Sequence, residues 1–235
     1  MSPIRAARRT AFAAVLLTFL AGCSGSAHHE TGDRVVGLSP GESPAGTVVP
    51  QPSRSDPPPV DPAHWPTGFS RTETVRYPDA AVIRAEYTGE AYLNRLAATW
   101  HVTLEAPTTY DFPRPGLLRS GHNAGTAVFW IAATWAPSGS LLTVTCTAAT
   151  AEPRADDFLA DCARLDYPDS TPAATARWVH DTWPGLHTAA AGLTNGSMES
   201  PPHRSGPVAV LLHEGTAEAY GGAFRNIRLF GLDQD

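Results

Sequence analysis

Residues 126–149 read TAVFWIAATWAPSGSLLTVTCTAA, and the fold follows from them. Over residues 126–135 the chain is apolar on both faces, as in a central strand covered on each side. Residues 137–140 then supply turn chemistry through Pro137 and Gly139. Residues 141–149 set Leu142, Val144, Cys146 and Ala148 against Thr143, Thr145 and Thr147, the period of two that marks a strand. Two such runs joined by a short turn predict an antiparallel hairpin.

Working upstream, residues 81–87 read as a strand, paired with residues 72–77 across Pro78 and Asp79. Thr88 is placed to cap a helix in which Tyr92, Leu93, Leu96, Ala97 and Trp100 recur at helical spacing. An irregular, proline-containing loop is expected between that helix and the hairpin. Downstream, residues 154–165 put Phe158, Leu159, Cys162 and Leu165 on one helical face. Thr171 followed by Pro172 starts a third helix carrying Ala176, Val179 and Trp183, which Pro184 and Gly185 are expected to end. A loose segment to Gly206 precedes two strands, residues 208–213 and 224–230, paired across Gly221 and Gly222. Paired strands separated by helices predict an α+β fold: a single domain over residues 67–235, mainly antiparallel sheet with helices packed on one face.

The N-terminal end carries Arg5, Arg8 and Arg9, an apolar run over residues 11–20, and then Leu20, Ala21, Gly22 and Cys23. That is the layout of a secretory signal, and a run of about ten residues is too short to span hydrocarbon as a helix. Residues 20–23 resemble the lipobox of the bacterial lipoprotein class. The resemblance covers residues 1–23. It implies a signal peptide over residues 1–22, cleavage before Cys23, a diacylglyceryl group on Cys23, and a chain held at the extracytoplasmic face of the cell membrane. Two acyl chains hold a protein stably where one does not. The alternative is an ordinary cleaved signal with Cys23 incidental, and Arg8 and Arg9 leave twin-arginine export open.

With Cys23 assigned to lipid by that resemblance, Cys146 and Cys162 remain as an even pair in an oxidising compartment, where a disulfide is expected. Both face inward from neighbouring elements; two buried free thiols are the alternative. Residues 23–66 are rich in Gly, Ser and Pro, with Pro57, Pro58 and Pro59 in a row, the composition of a disordered linker. A flexible coil of that length spans roughly 35 to 40 Å. Trp65 is placed to staple the linker's end to the domain.

The 17 basic residues are all arginine. The absence of lysine excludes a P-loop, a Schiff-base lysine and the serine β-lactamase S-x-x-K motif. The formal charge of −6, more negative still without the first 22 residues, disfavours nucleic acid as a partner.

Motif matches are incomplete. Residues 37–41 fit G-x-S-x-G, but a nucleophile elbow needs a strand before it and a helix after it, and Pro40 stands where the helix would begin. His28, His29 and Glu30 lack a fixed third ligand for a metal. His213 and Glu214 begin H-E-x-x-H, but Ala217 occupies the fifth position. Ser120, His122 and Asp111 form a hydrolytic triad only if the fold unites them; His101, His180 and His187 read as loop or helix-end residues. Trp100, Trp130, Trp135, Trp178 and Trp183 read mainly as core, with a carbohydrate or peptide groove as the alternative. Asn195, Gly196 and Ser197 match a glycosylation sequon and read as a turn.

No catalytic residue, metal ligand or cofactor is assigned. The expected function is a lipid-anchored, non-catalytic binding or interaction module whose partner is a cell-envelope protein or polymer. The runner-up is an extracytoplasmic hydrolase of envelope material using residues 111–123.

Overall fold

The computed structural model describes residues 58–111, 115–123, 128–194, 196–217 and 222–233. They belong to one compact unit. The assignments to the signal, Cys23, the linker up to residue 57, residues 28–30 and residues 37–41 lie outside the described residues.

The expected hairpin forms the middle of a ten-stranded sheet. Its strands are β5 (Phe129–Trp135) and β6 (Leu141–Ala149), with Ile131 opposite Cys146 and Ala133 opposite Val144. Ala136 N–H donates to the Ser140 carbonyl at 2.9 Å to close the turn, and Gly139 supplies its left-handed residue at φ +84°. One expectation is corrected at this end. Thr134 pairs with Thr143 but Trp135 pairs with Leu141, a bulge that places two residues against one. Leu141 therefore takes the inward position, fully buried, and Leu142 turns to the opposite side.

From β6 the sheet continues through β10 (Gly222–Gly231), β9 (Val208–Ala217), β7 (Gly196–Glu199) and β1 (Ser70–Arg71). From β5 it continues through β4 (Gly116–Asn123) to β2 (Val102–Leu104). β3 (Thr108–Tyr110) also pairs with β4, and β8 (His203–Ser205) with β9. Every one of these strand pairs is antiparallel.

Three helices cover one face: α1 (Glu90–Trp100), α2 (Ala155–Cys162) and α3 (Pro172–Ala190). Their inward residues, Leu93, Leu96 and Trp100, Phe158 and Leu159, Val179 and Leu186, share one core with Phe129, Ile131, Val144, Val210, Leu212, Ile227 and Leu229 of the sheet. Trp100, Phe129 and Phe158 meet at ring separations of 4.6 to 5.3 Å. Cys146 and Cys162 are joined as a disulfide, with Cα atoms 6.4 Å apart, which ties α2 to β6. Among the described residues no helix is long and apolar enough to cross a membrane.

Five further expectations are corrected. Residues 81–87 form no strand: Ala81 bridges Gly231, and Ile83 N–H reaches the Leu141 carbonyl at 2.9 Å. Residues 72–74 form a 3-10 turn instead of a strand. The loop expected before the hairpin contains β2, β3 and β4, and the loose segment before Gly206 contains β7 and β8. The third helix runs on past Pro184 to Ala190. Pro184 is exposed while Trp183 and Leu186 are buried. The proline's missing bond thus falls on the solvent side, and burial of Leu186 offsets it.

Candidate functional site

Among the described residues the sheet's other face carries no α-helix and is built from the alternate residues of the same strands. Cross-strand pairing aligns His213, Asn226, Thr147 and Trp130 in one row. It aligns Leu211, Arg228, Thr145 and Ala132 in the next. Strands whose inward residues are mainly apolar therefore display threonine, histidine, arginine and tryptophan on the opposite side.

The segment before α1 crosses part of this face. Trp65, Tyr77 and Ala80 pack on Ala209, Leu211, Phe230 and Leu232 in a second, smaller apolar cluster. Trp65 meets Tyr77 edge-on at 5.9 Å and Phe230 at 6.4 Å, and its indole N–H donates to the Val60 carbonyl at 3.2 Å. Val60 N–H in turn donates to the Arg76 carbonyl at 2.8 Å. Trp65 thus acts as the expected staple.

Between this segment and the sheet lies a cleft of about 540 Å³, a size typical of small-molecule sites. It runs across the strands. At the β7–β10 end stand Glu199, His213 and Arg228; at the β6–β5 end stand Leu142, Thr143 and Thr134, with Tyr110 beyond; Val75, Tyr77, Pro78 and Leu211 contribute walls. Thr134 and Thr143 bond each other at 2.6 Å between hydroxyls.

The charged end is short of partners. The Glu199 side chain is 2% exposed and His213 14% exposed, with Oε2 and Nδ1 3.7 Å apart, too far for a hydrogen bond. Glu199 Oε1, His213 Nε2 and the Tyr77 hydroxyl are buried without a hydrogen-bond partner. The Tyr77 hydroxyl faces Glu199 closely enough to influence its charge. Among the described residues no carboxylate lies within 4 Å of Arg228, whose guanidinium stands over the Phe230 ring at 5.2 Å. Burial raises the Glu199 carboxyl to about 7, against the lowering influence of Tyr77 and Arg228 and with a further push from Glu73. Burial, then the charge of Arg228, depresses His213 to about 4. Burial lowers Arg228, and Glu199 acts against that; burial raises Tyr77. At neutral pH the cleft end therefore holds a guanidinium, a neutral imidazole and a carboxyl near its midpoint.

A second ionic cluster lies on the helix-covered face. Glu214, next in sequence to His213 but pointing the other way, holds His187 Nδ1 at 2.5 Å and lies 3.6 Å from Arg225 Nε. Arg225 also bonds Asp156 and stands over the Trp183 ring at 5.5 Å. These partners belong to α2, α3 and β10, and the cluster fastens helices to sheet.

The triad candidates are not united. Ser120 and His122 lie two residues apart on β4, and the Ser120 hydroxyl donates to Glu105 Oε2 at 3.0 Å instead of to a histidine. His180 meets its exposed neighbour Asp181 at 3.3 Å. Trp100, Trp135 and Trp183 are core as expected. Trp178 lies at the core's edge and stacks on His203 at 4.7 Å, and Trp130 is on the helix-free face. Gly196 opens β7 at φ +83°; Asn195 lies outside the described residues.

The sequence reading missed Glu199 and Arg228 as site residues and assessed His213 only for a zinc motif. The one available signal was charge inside apolar strands: Arg228 within residues 224–230 and His213 at the end of residues 208–213. No protein-family model matches the chain, and no curated protein or solved structure matches it either.

Proposed function

We propose that the chain is an extracytoplasmic protein held to the membrane by lipid on Cys23, and that its domain binds a small ligand in the cleft beneath residues 72–80. The observation that carries the reading is the set of unpaired buried polar atoms, Glu199 Oε1, His213 Nε2 and Tyr77 Oη, beside an open volume. A buried polar group without a partner costs about 1–3 kcal/mol, and a ligand placed there would recover that cost. Among the described residues no nucleophile and base are paired in the cleft, and the reading is binding without chemistry. The composition of residues 23–66 supports a spacer between anchor and domain.

The full chain, purified from the membranes of its own cells, is denatured and the released small molecules are measured by mass spectrometry. A molecule recovered in near-equal amount to the protein, and lost from Leu142→Trp, is the expected result. Nothing recovered above a mock purification overturns the binding reading. Separately, Cys23→Ala is expected to leave the membrane fraction; a variant that stays there refutes the lipid anchor.

A further inference from the structure

The chemistry of the cleft's two ends narrows what it takes, granted that it is a binding site. At the β7–β10 end the inner cation is Arg228, while the acid beside Glu199, Glu73, is exposed and already paired with Arg71 at 2.6 Å. Arg228 offers a planar fork of donors suited to a carboxylate, and no carboxylate of the described residues occupies that fork. Glu199 is too deeply buried to serve as a ready counter-ion, and in its protonated form it offers an O–H. The Tyr77 hydroxyl is an additional donor. At the other end the cleft is lined by Leu142, Tyr110, Thr143 and Thr134, and the Thr134 and Thr143 hydroxyls bond each other. That end has little to offer a polar group and favours a hydrocarbon or aromatic body.

We propose that the cleft binds a small organic carboxylate, its anionic head on Arg228 and its apolar body along Leu211, Leu142 and Tyr110. A cationic ligand would place its charge against the guanidinium. A neutral amide would bring Arg228 no counter-charge.

The proposal carries a pH signature. The groups facing Glu199 are Tyr77 and Glu73 from the segment over the cleft, His213 from β9 and Arg228 from β10. Of these none changes charge between about pH 6 and pH 8.5 except Glu199 itself. As pH rises past 7 its ionisation brings a second negative charge beside the ligand head, so affinity falls.

The test uses the full chain in non-ionic detergent, titrated calorimetrically with hexanoate, hexanamide and hexylamine, with empty-micelle heats subtracted. Hexanoate is expected to bind at least about tenfold more tightly than either of the others, and more weakly at about pH 8.5 than at about pH 6. Arg228→Gln is expected to weaken hexanoate at least about tenfold, and Arg228→Lys less. Hexylamine or hexanamide binding as well as hexanoate, no binding of hexanoate, or hexanoate unaffected by a folded Arg228→Gln overturns the proposal. Should Arg228→Gln not fold, the ranking of the three probes on the wild-type chain decides it. A neutral or cationic molecule recovered with the native protein would sink the carboxylate while leaving the binding reading intact, whereas an empty native protein sinks both.

Discussion

The Glu199 carboxyl and the His213 imidazole stand opposite one another across β7 and β9, Oε2 to Nδ1 3.7 Å, both buried and not hydrogen-bonded. They resist charge in opposite pH ranges. Glu199, raised from 4.5 to about 7, holds its proton more tightly in the folded chain. Its contribution to stability is complete below about pH 4.5 and is lost as pH rises through 7. His213, depressed from 6.5 to about 4, contributes fully above 6.5 and loses that contribution as pH falls through 4. Glu199→Gln removes only the first loss. Its melting temperature relative to wild type should therefore climb between about pH 5 and pH 8 and then level off. A difference that stays flat across that range would show that Glu199 is not strained by burial.

The Cys146–Cys162 bridge closes a separation of 16 residues and in the chain-entropy account contributes about 3 kcal/mol. The double variant Cys146→Ala, Cys162→Ala should lose at least that much in urea unfolding, since both sulfurs are fully buried and their removal also leaves space. Reductant should lower the wild-type midpoint and leave the double variant unmoved. A wild-type midpoint indifferent to reductant would contradict the bridge.

Asn123 ties the end of α1 to the start of β5. Its Nδ2 donates to the Trp100 carbonyl at 2.8 Å, and its Oδ1 accepts from Phe129 N–H at 2.7 Å. Asn123→Ala leaves two buried backbone groups unpaired and should cost about 2–3 kcal/mol. Urea unfolding measures it, and a cost near zero would mean that water replaces both bonds.

Pro184 sits inside α3, where it gives no N–H to the His180 carbonyl. Because it is exposed, Pro184→Ala restores that bond without disturbing packing and should stabilise by about 1–2 kcal/mol, after the unfolded chain's gain in freedom is set against it. A destabilised variant would mean that the helix needs the bend to seat both Trp183 and Leu186.

The elements legible in the sequence are those whose apolar residues repeat at one period. Tyr92, Leu93, Leu96, Ala97 and Trp100 are all buried in α1 as the spacing predicts, and the β5–β6 and β9–β10 hairpins pair as expected. β2, β3, β7 and β8 are three or four residues long, too short to express a period. β4 is broken by Gly116 and Gly121. A Cβ on Gly121 would stand 2.3 Å from the Thr103 carbonyl, so that glycine reports the close approach of β2 and reads as a loop only in isolation. Pro184 misled because a proline's effect depends on which side of the helix faces water.

Local sequence was enough for the α+β class, the central hairpin, the three helical faces and the inward facing of Cys146 and Cys162, because burial periodicity is a local property of the chain; their pairing was an expectation that the fold bears out. Only the tertiary structure decided the cleft. Glu199 lies in a segment with no strand signal, His213 at the end of an apolar strand, and Tyr77 in a proline-flanked stretch. What joins them to Arg228 is β7 pairing beside β9 and the segment around Trp65 folding back over Phe230. These are contacts between residues far apart in the chain, set by which strand edges and apolar patches fit together, and no local pattern records them.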